Sequence, residues 1–213
     1  MITIVDYGVG NIQALLNMYD HLGIDARSSD EPNAIARAER LLLPGVGAFD
    51  KAMRALNERE LIPALEHAVH RRRAPILGIC LGMQLLARNS DEGTQPGLGW
   101  IAADVKRIEV PRDSVLKVPH MGWGEVTPTR LSPLFQNGPR LDRFYFVHGY
   151  HVVCDSPDDI LATVGFGTQL CCAVNRANVW GVQFHPEKSH SFGMHLLRAF
   201  ANLEIEVTRT DVE

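Results

Sequence analysis

Cys80 lies between two glycines in the run APILGICLGMQLLARNS, residues 74–90. Apolar, strand-like residues lead into the cysteine, and a helix-like pattern follows it. The spacing Gly78-Ile79-Cys80-Leu81-Gly82 matches the tight strand-to-helix turn G-x-S-x-G that exposes a nucleophilic serine. A helix starting just after the thiol would favour its thiolate form. The pattern therefore indicates a nucleophile, whereas a small buried apolar residue, as most free cysteines are, is the alternative.

A nucleophile of this kind needs a base, and the best candidate is His185 in the run WGVQFHPEKS, residues 180–189. Pro186 favours an extended backbone at His185, so Glu187 lies on the same side of the chain as the imidazole. A carboxylate there would fix the tautomer and leave the other ring nitrogen to face the thiol. A strand-end histidine with a structural hydrogen bond is the alternative. Weaker candidates are the histidines in helical patterns or near turns: His21, His67, His70, His120, His148, His151, His190 and His195.

Attack by a thiolate on an acyl group creates an oxyanion that needs hydrogen-bond donors. The N–H group of Leu81, directly after Cys80, is one candidate. The run PGVGAF, residues 44–49, ends another strand in glycines that can turn an N–H group outward, and Gly47 is the second candidate. A phosphate-binding loop is the alternative, but neither GVGNIQ nor GVGAFDK matches G-x-G-x-x-G or a GK[ST] motif.

The elements that must position these residues alternate along the first half of the chain between buried apolar strands and helices. This alternation predicts a three-layer α/β/α fold with an open, mainly parallel sheet. From about residue 100, short strands separated by Gly, Pro and Asn predict antiparallel additions to the same sheet. Pro63 is expected to break a long helix, and a last helix is expected over about 191–203. Residues 1–213 are interpreted as one domain, with a polar tail at 204–213.

Composition excludes several function classes. The 213 residues are 46% hydrophobic and 22% charged, with a net charge of −4, so nothing indicates a nucleic-acid surface. No apolar run reaches the roughly 18 residues that a membrane span needs. The four cysteines are irregularly spaced, which fits neither a disulfide framework nor a zinc site and favours a reducing, cytoplasmic setting. Cys154, Cys171 and Cys172 are interpreted as packing residues.

With these residues assembled, the chain resembles the class I glutamine amidotransferases over nearly its whole length. It is most similar to the glutaminase subunits of imidazole glycerol phosphate synthase, which serve histidine biosynthesis. The segments that carry the likeness are IVDYGVGN, LPGVGAF, GICLGMQLL, VPHMGW, FYFVHGY and GVQFHPEKS. The resemblance implies a flavodoxin-like fold, hydrolysis of L-glutamine to glutamate and ammonia, and no metal or other cofactor.

The resemblance also implies a role for each matching residue. Cys80 would form the thioester, His185 would carry the proton and Glu187 would orient the imidazole. Gly47 and Leu81 would form the oxyanion hole. The remaining assignments are substrate binding by Gly45, Gln84, Gly149 and Tyr150, and contact with a separate (β/α)8-barrel synthase subunit by Tyr145 and Lys188.

The resemblance leaves some points open. Asn is expected after HMGW, where this chain has Gly124, and Ser or Thr is common at Gly149. The chain could instead supply ammonia for anthranilate, aminodeoxychorismate, guanylate or pyridoxal phosphate synthesis. A Cys–His peptidase or stress protein on a related fold is a second alternative, and a regulatory subunit without activity is a third.

Overall fold

A computed structural model describes residues 1–111, 114–135 and 142–204. Of the predicted polar tail, residues 205–213 lie outside this part. The strands are β1 (Ile2–Val5), β2 (Ala26–Ser29), β3 (Arg40–Gly45), β4 (Ile76–Cys80), β5 (Ala103–Arg107), β6 (His120–Pro128), β7 (Asp142–His148), β8 (Tyr150–Cys154), β9 (Ile160–Phe166), β10 (Thr168–Arg176) and β11 (Val179–Val182). The α-helices are α1 (Ile12–His21), α2 (Pro32–Ala36), α3 (Phe49–Glu58), α4 (Leu61–Glu66), α5 (Leu81–Leu85) and α6 (His190–Ala201).

The strands form one mixed sheet in the order β2-β1-β3-β4-β11-β10-β9-β6-β7. The five strands from β2 to β11 pair in parallel, and those beyond β11 pair antiparallel. Strand β8 pairs with β10 and β5 beside this path. The structure thus combines the parallel half and the antiparallel additions that the sequence predicts.

Helices cover both faces of the sheet. On one face, Tyr19 of α1 and Phe200 of α6 are buried in a core that includes Leu42 of β3. On the other, Phe49 of α3 and Leu65 of α4 are buried in a second core. Burial of two apolar sheet faces is what near-continuous apolar strands require, and the predicted three-layer α/β/α fold is confirmed. No helix among the described residues is long and apolar enough to cross a bilayer.

The break in the long helix lies at a different residue from the one predicted. The chain turns at Glu60, which has a left-handed φ of 55°, and α4 then begins at Leu61. Pro63 is the third residue of α4, within the first turn, where proline removes no intrahelical hydrogen bond. The prediction that Pro63 itself divides the helix was therefore wrong. The last helix, α6, begins one residue before and ends two before its predicted bounds.

The segment RFYFVHGYHVV, residues 143–153, divides at Gly149. Strand β7 before this glycine pairs with β6, whereas β8 after it pairs with β5 and β10. Strand β11 forms the expected antiparallel hairpin with β10 and also lies parallel to β4. The chain therefore changes neighbours at Gly149, and the last strand borders the one that ends in Cys80.

Gly124, which departs from the family pattern, lies within strand β6 and not in a turn. Its Cα pairs with that of Phe144 across the ladder. A Cβ added to Gly124 would lie 2.9 Å from Phe146 Cε2 and 2.9 Å from Val164 Cγ2. Any larger side chain there must displace packed core atoms, so glycine fits the packing that this chain has.

We expect Gly124→Ala to lower the free energy of unfolding by about 1–3 kcal/mol, the usual range for overpacking a core. Gly149→Ala is the matched control, because its Cβ would meet Val118 Cγ1 at an ordinary 3.7 Å. Urea unfolding followed by circular dichroism measures both. Equal losses in the two variants would contradict the packing argument.

Candidate active site

The parallel pairing of β4 with β11 brings two distant segments together. The register places Ile79 beside Val182, and the next step along both chains places Cys80 beside Gln183. His185 follows two residues later, in extended geometry with φ −103° and ψ 96°. Cys80 and His185 consequently lie at the carboxyl ends of neighbouring strands, where ligands of open α/β sheets bind.

Cys80 occupies a strained turn between β4 and α5. Its φ is 55° and its ψ is −111°, a conformation that costs a non-glycine residue about 1–3 kcal/mol. A Cβ on Gly78 would lie 2.6 Å from the carbonyl oxygen of Gly82, and a Cβ on Gly82 would overlap the carbonyl oxygen of Leu43. The two glycines allow the backbone to approach itself, and Cys80 retains 8% exposure at the top of the sheet.

A cavity of about 300 Å³ opens at this edge, a volume at the lower end for small-ligand sites. Its wall contains most of the residues that the sequence and the resemblance assign to the site. The lining residues are Val46, Gly47, Cys80, Leu81, Gln84, Glu92, Val147, His148, Gly149, Tyr150, His185 and Lys188. Glu187 lies behind His185, and the lining does not include Gly45 or Tyr145.

His185 and Glu187 form a buried pair. The distance from His185 Nδ1 to Glu187 Oε1 is 2.8 Å, and both side chains are 3% exposed. A carboxylate oxygen can only accept a hydrogen bond, so Nδ1 carries a proton. Nε2 is then the ring nitrogen that can exchange a proton with a neighbouring group. Within the described residues, Nε2 has no hydrogen-bond partner of good geometry. Glu187 lies alongside the imidazole as expected, but it does so from a 3₁₀ turn over Pro186–Lys188 and not from the extended segment that the sequence predicts.

The two histidines of the cavity have opposite electrostatic environments. Burial lowers the pKa of His185, but its interactions with Cys80 and Glu187 outweigh burial and raise this pKa to about 9. Burial lowers the pKa of His148 to about 3, with the hydrogen bond to Tyr150 opposing the shift. At neutral pH the cavity therefore contains an imidazolium at His185 and a neutral imidazole at His148.

Neutral His148 fixes the cavity wall at Tyr150. Its Nδ1 lies 2.8 Å from the Tyr150 carbonyl oxygen, which can only accept, so Nδ1 donates. His148 Nε2 must then accept from His120 Nδ1 at 3.1 Å. The His120 ring stacks on Phe146 and Phe166 at centroid distances of 4.7 and 4.3 Å.

Two hydrogen bonds tie the segment after β11 to β7, and a third closes a turn within that segment. The His185 N–H group donates to the Tyr145 carbonyl at 2.9 Å. The Tyr145 N–H group donates to Ser189 Oγ at 3.0 Å, and this hydroxyl donates to the His185 carbonyl at 2.6 Å. The Tyr145 backbone thus positions His185. Its ring lies beside Lys188, with Nζ 5.9 Å from the ring centroid.

The end of β3 is rigid up to Gly45 and open beyond it. The Tyr7 hydroxyl donates to the Pro44 carbonyl at 2.6 Å, and burial first, then the charge of Cys80, raises the pKa of this hydroxyl. A Cβ on Gly45 would lie 2.9 Å from both Gly82 N and Leu81 Cβ. By contrast, Gly47 has a φ of 97° with nothing within 4 Å of an added Cβ.

Sequence reasoning missed three residues of the site. Glu92 lines the cavity, and its Oε2 accepts the Phe49 N–H group at 2.9 Å, but it lies in a polar loop without a motif. Tyr7 supports the end of β3 from the turn that follows β1, 37 residues earlier in the chain. Gln183 precedes His185 by two residues, so the strand alternation could have placed it on the side of Cys80.

We expect the imidazole of His185 to titrate with a midpoint near pH 9. Its ordinary value is about 6.5. Each of Glu187→Gln and Cys80→Ala should lower the midpoint, because each removes an interaction that favours the imidazolium. His148 should stay neutral above about pH 4. Two-dimensional NMR of the chain with isotope-labelled histidine measures the midpoints of His185 and His148.

Glu92→Gln is the matched control for that titration, because it neutralises a cavity carboxylate that is not bonded to His185. Its His185 midpoint should equal that of the unmodified chain. Since the folded value lies above the unfolded one, the stabilisation by His185 is full below about pH 6.5. It is lost as the pH rises through about 9. A His185 midpoint that changes in neither Cys80→Ala nor Glu187→Gln would contradict the interactions described for His185.

Comparison with known proteins gives close relatives of this chain. The family model described as glutamine amidotransferase class-I matches residues 3–203. "Imidazole glycerol phosphate synthase subunit HisH 2" of Pseudomonas aeruginosa is 48% identical over 203 residues, covering 95% of this chain and 100% of that protein. "Imidazole glycerol phosphate synthase subunit HisH" of Bdellovibrio bacteriovorus is 49% identical over 207 residues, with the same coverage of both chains.

Solved structures share the fold at low sequence identity. A crystal structure titled as a glutamine amidotransferase has a TM-score of 0.71 at 19% identity, covering 95% of this chain and 100% of that one. A chain in the structure of PurLQS from Thermotoga maritima has a TM-score of 0.70 at 18% identity, covering 94% and 97%. The chain belongs to the class I glutamine amidotransferase family.

Proposed function

We propose that this chain hydrolyses L-glutamine to glutamate and ammonia through a thioester on Cys80, as the glutaminase subunit of an imidazole glycerol phosphate synthase. The observation that carries the proposal is that Cys80 and the imidazole held by Glu187 line one small cavity. The names of the relatives support the choice of synthase.

The first half of the reaction transfers the acyl group to sulfur. Cys80 Sγ attacks the side-chain amide carbon of glutamine, and the protonated His185 gives its Nε2 proton to the departing nitrogen. The C–N bond breaks and ammonia leaves, so a glutamyl thioester and a neutral imidazole remain. The Glu187 carboxylate holds Nδ1–H throughout, which keeps Nε2 aimed at the reacting atoms.

The second half returns the enzyme to its starting state. Water attacks the thioester carbon while His185 Nε2 takes one of its protons. The C–S bond breaks, glutamate leaves, and the thiolate–imidazolium pair forms again. The raised pKa of His185, to about 9, suits the first half, because the residue begins as the acid that the departing nitrogen needs.

The cavity offers suitable partners for the amino-acid end of glutamine. Glu92 is the acidic residue among the lining side chains, and it suits the α-ammonium group. Gln84 donates both amide hydrogens to protein acceptors, so its Oε1 is free to accept a ligand donor. The backbone at Gly149 and Tyr150 forms the facing wall, which suits the α-carboxylate.

The oxyanion would bind to N–H groups at Leu81 and Gly47. Leu81 is the first residue of α5, so its N–H group has no partner within that helix. The peptide between Val46 and Gly47 lies beyond the rigid end of β3 and has free space around it. We propose that it turns its N–H group into the cavity when the synthase subunit binds, and that the isolated chain therefore turns over slowly.

The proposed partner is a (β/α)8-barrel subunit that uses the ammonia to form imidazole glycerol phosphate and aminoimidazole carboxamide ribonucleotide. An exposed surface lies next to the cavity residue Lys188. It contains Met121, which is 62% exposed, and Trp123, whose ring stacks on His190 at 5.5 Å and meets the Tyr145 ring edge to face at 6.2 Å. Exposed aromatic and methionine side chains beside a cavity are typical of a docking surface.

We expect diazo-oxo-norleucine, an electrophilic analogue of glutamine, to label Cys80 once per chain and to abolish glutamate release. Mass spectrometry of the digested protein locates the adduct. Cys80→Ala should lose the adduct and at least about 1,000-fold in turnover, since it removes the nucleophile. Cys171→Ala is the matched control at a buried thiol outside the cavity, and it should keep the adduct.

The choice of synthase is tested in the same assay by adding the barrel subunit together with its nucleotide. Glutamate release should then rise, and the amide nitrogen of glutamine should appear in imidazole glycerol phosphate. A chain that is equally active alone, or that is stimulated only by a different synthase, would contradict the proposed partner and leave the thioester chemistry standing.

We expect Gly47→Ala to lower glutamine turnover by about 10- to 100-fold, because a Cβ at a φ of 97° restricts the peptide that donates to the oxyanion. Gly23→Ala is the matched control, since Gly23 also has a positive φ, 67°, with nothing within 4 Å, but follows α1 away from the cavity. Both variants should lose stability, whereas only Gly47→Ala should lose activity. Steady-state kinetics with the synthase present measures the difference.

A further inference from the structure

Gln183 is completely buried and has no part in the mechanism above. Its side chain is 0% exposed at the end of β11. Burying an amide instead of an apolar side chain costs about 1–3 kcal/mol unless its hydrogen bonds are made. The two polar ends of Gln183 contact different residues, Gln84 at one end and Cys80 at the other. The position therefore contains a polar group directed at the proposed nucleophile.

The orientation of the Gln183 amide follows from acceptors that cannot donate. The Tyr150 carbonyl oxygen can only accept, and Gln84 Nε2 lies 3.2 Å from it, so the Gln84 amide group directs its NH₂ to this side. The same NH₂ lies 3.0 Å from Gln183, which must therefore present its oxygen there. The NH₂ group of Gln183 then faces Cys80 Sγ at 3.8 Å.

The alternative amide orientations are unfavourable. Rotating Gln183 by half a turn would place its NH₂ group against that of Gln84. Rotating Gln84 as well would place its oxygen against the Tyr150 carbonyl, which already accepts from His148 Nδ1 at 2.8 Å. The carbonyl of Tyr150 thus determines the direction of both amides and aims one N–H group of Gln183 at the sulfur.

We propose that Gln183 stabilises the thiolate of Cys80 and holds Sγ toward the cavity, and that Gln84 sets the orientation of the Gln183 amide. The proposal rests on Cys80 being the nucleophile proposed above. Gln183 contacts the Cys80 sulfur directly, and His185 lines the same cavity as Cys80, so both side chains lie on the side of the thiol. His185 exchanges the proton, while the Gln183 N–H group bonds the thiolate more strongly than it would bond a neutral thiol.

The test is the pH dependence of Cys80 alkylation by iodoacetamide, followed by mass spectrometry of the Cys80 peptide in the full chain. Gln183→Met keeps much of the volume and removes the donor. Its alkylation midpoint should move up by about one pH unit, the size expected for one hydrogen bond to a charged group. Gln183→Glu has nearly the shape of glutamine but directs an oxygen at the sulfur, so its midpoint should move up further.

The relative size of the midpoint shifts in Gln183→Met and Gln183→Glu separates an electrostatic role of Gln183 from a packing role. A role in packing alone predicts that Gln183→Glu resembles the unmodified chain and that Gln183→Met differs only in thermal stability. Midpoints within about 0.2 pH unit of the unmodified value in both variants would overturn the proposal. Gln84→Met frees the Gln183 amide to rotate and should give a smaller upward shift. It keeps the test decisive if Gln183→Glu does not fold.

Alkylation by iodoacetamide requires neither glutamine nor a synthase, so the two proposals fail separately. If the midpoints shift but the chain releases no glutamate, the proposed reaction is wrong and the amide–sulfur interaction stands. If glutamate is released but the midpoints do not move, the assignment of Gln183 is wrong on its own. In an active enzyme, Gln183→Met should lower turnover at neutral pH and recover part of it at higher pH, because less of its Cys80 is thiolate when glutamine binds.

Discussion

The site depends on the parallel hydrogen bonding of β4 with β11. This pairing joins residues about 100 positions apart and sets Cys80 beside Gln183, with His185 two residues further along. A slip of one residue would turn the His185 side chain to the other face of the sheet. The register is held by burial, because β4 is apolar on both sides and its Ile76 and Leu77 are 0% exposed. Packing of the sheet centre therefore determines the distance between Cys80, the proposed nucleophile, and His185, the proposed base.

The same edge of the sheet contains several locally unfavourable features. Cys80 has a left-handed backbone, Gln183 and His148 are buried polar groups, and Glu187 Oε2 has no hydrogen-bond partner among the described residues. Each costs free energy that the apolar cores on the two sheet faces must offset. Their concentration in and directly behind one cavity wall is what a site organised for chemistry requires, since an inert strand end would contain small apolar residues instead.

Short-range patterns in the sequence predicted much of this arrangement. The two glycines around Cys80 indicate a close backbone approach. The short spacing in the chain correctly places Glu187 near His185, although the contact is made through a 3₁₀ turn and not through the extended segment that the sequence predicts. Both arguments use only neighbours in the chain. The division at Gly149 and the position of Glu92 could not be predicted, because they depend on which distant strands and loops pack together. The helix break at Glu60 was missed because a proline within a first turn is compatible with helix, so Pro63 was the wrong signal.

Contacts around the cavity are unevenly distributed, and the least constrained part is the peptide for which the switch is proposed. Hydrogen bonds fix the wall at Tyr150, the segment after β11 and the end of β3 at Pro44. Gly45 is held by the backbone of Gly82, against which it packs closely. Two residues later the constraint ends: Val46 is 45% exposed and Gly47 has free space around a left-handed backbone. The proposed rotation of the Val46–Gly47 peptide on synthase binding therefore takes place where a Gly47 Cβ would have nothing within 4 Å, whereas His185 is held by its bond to Glu187.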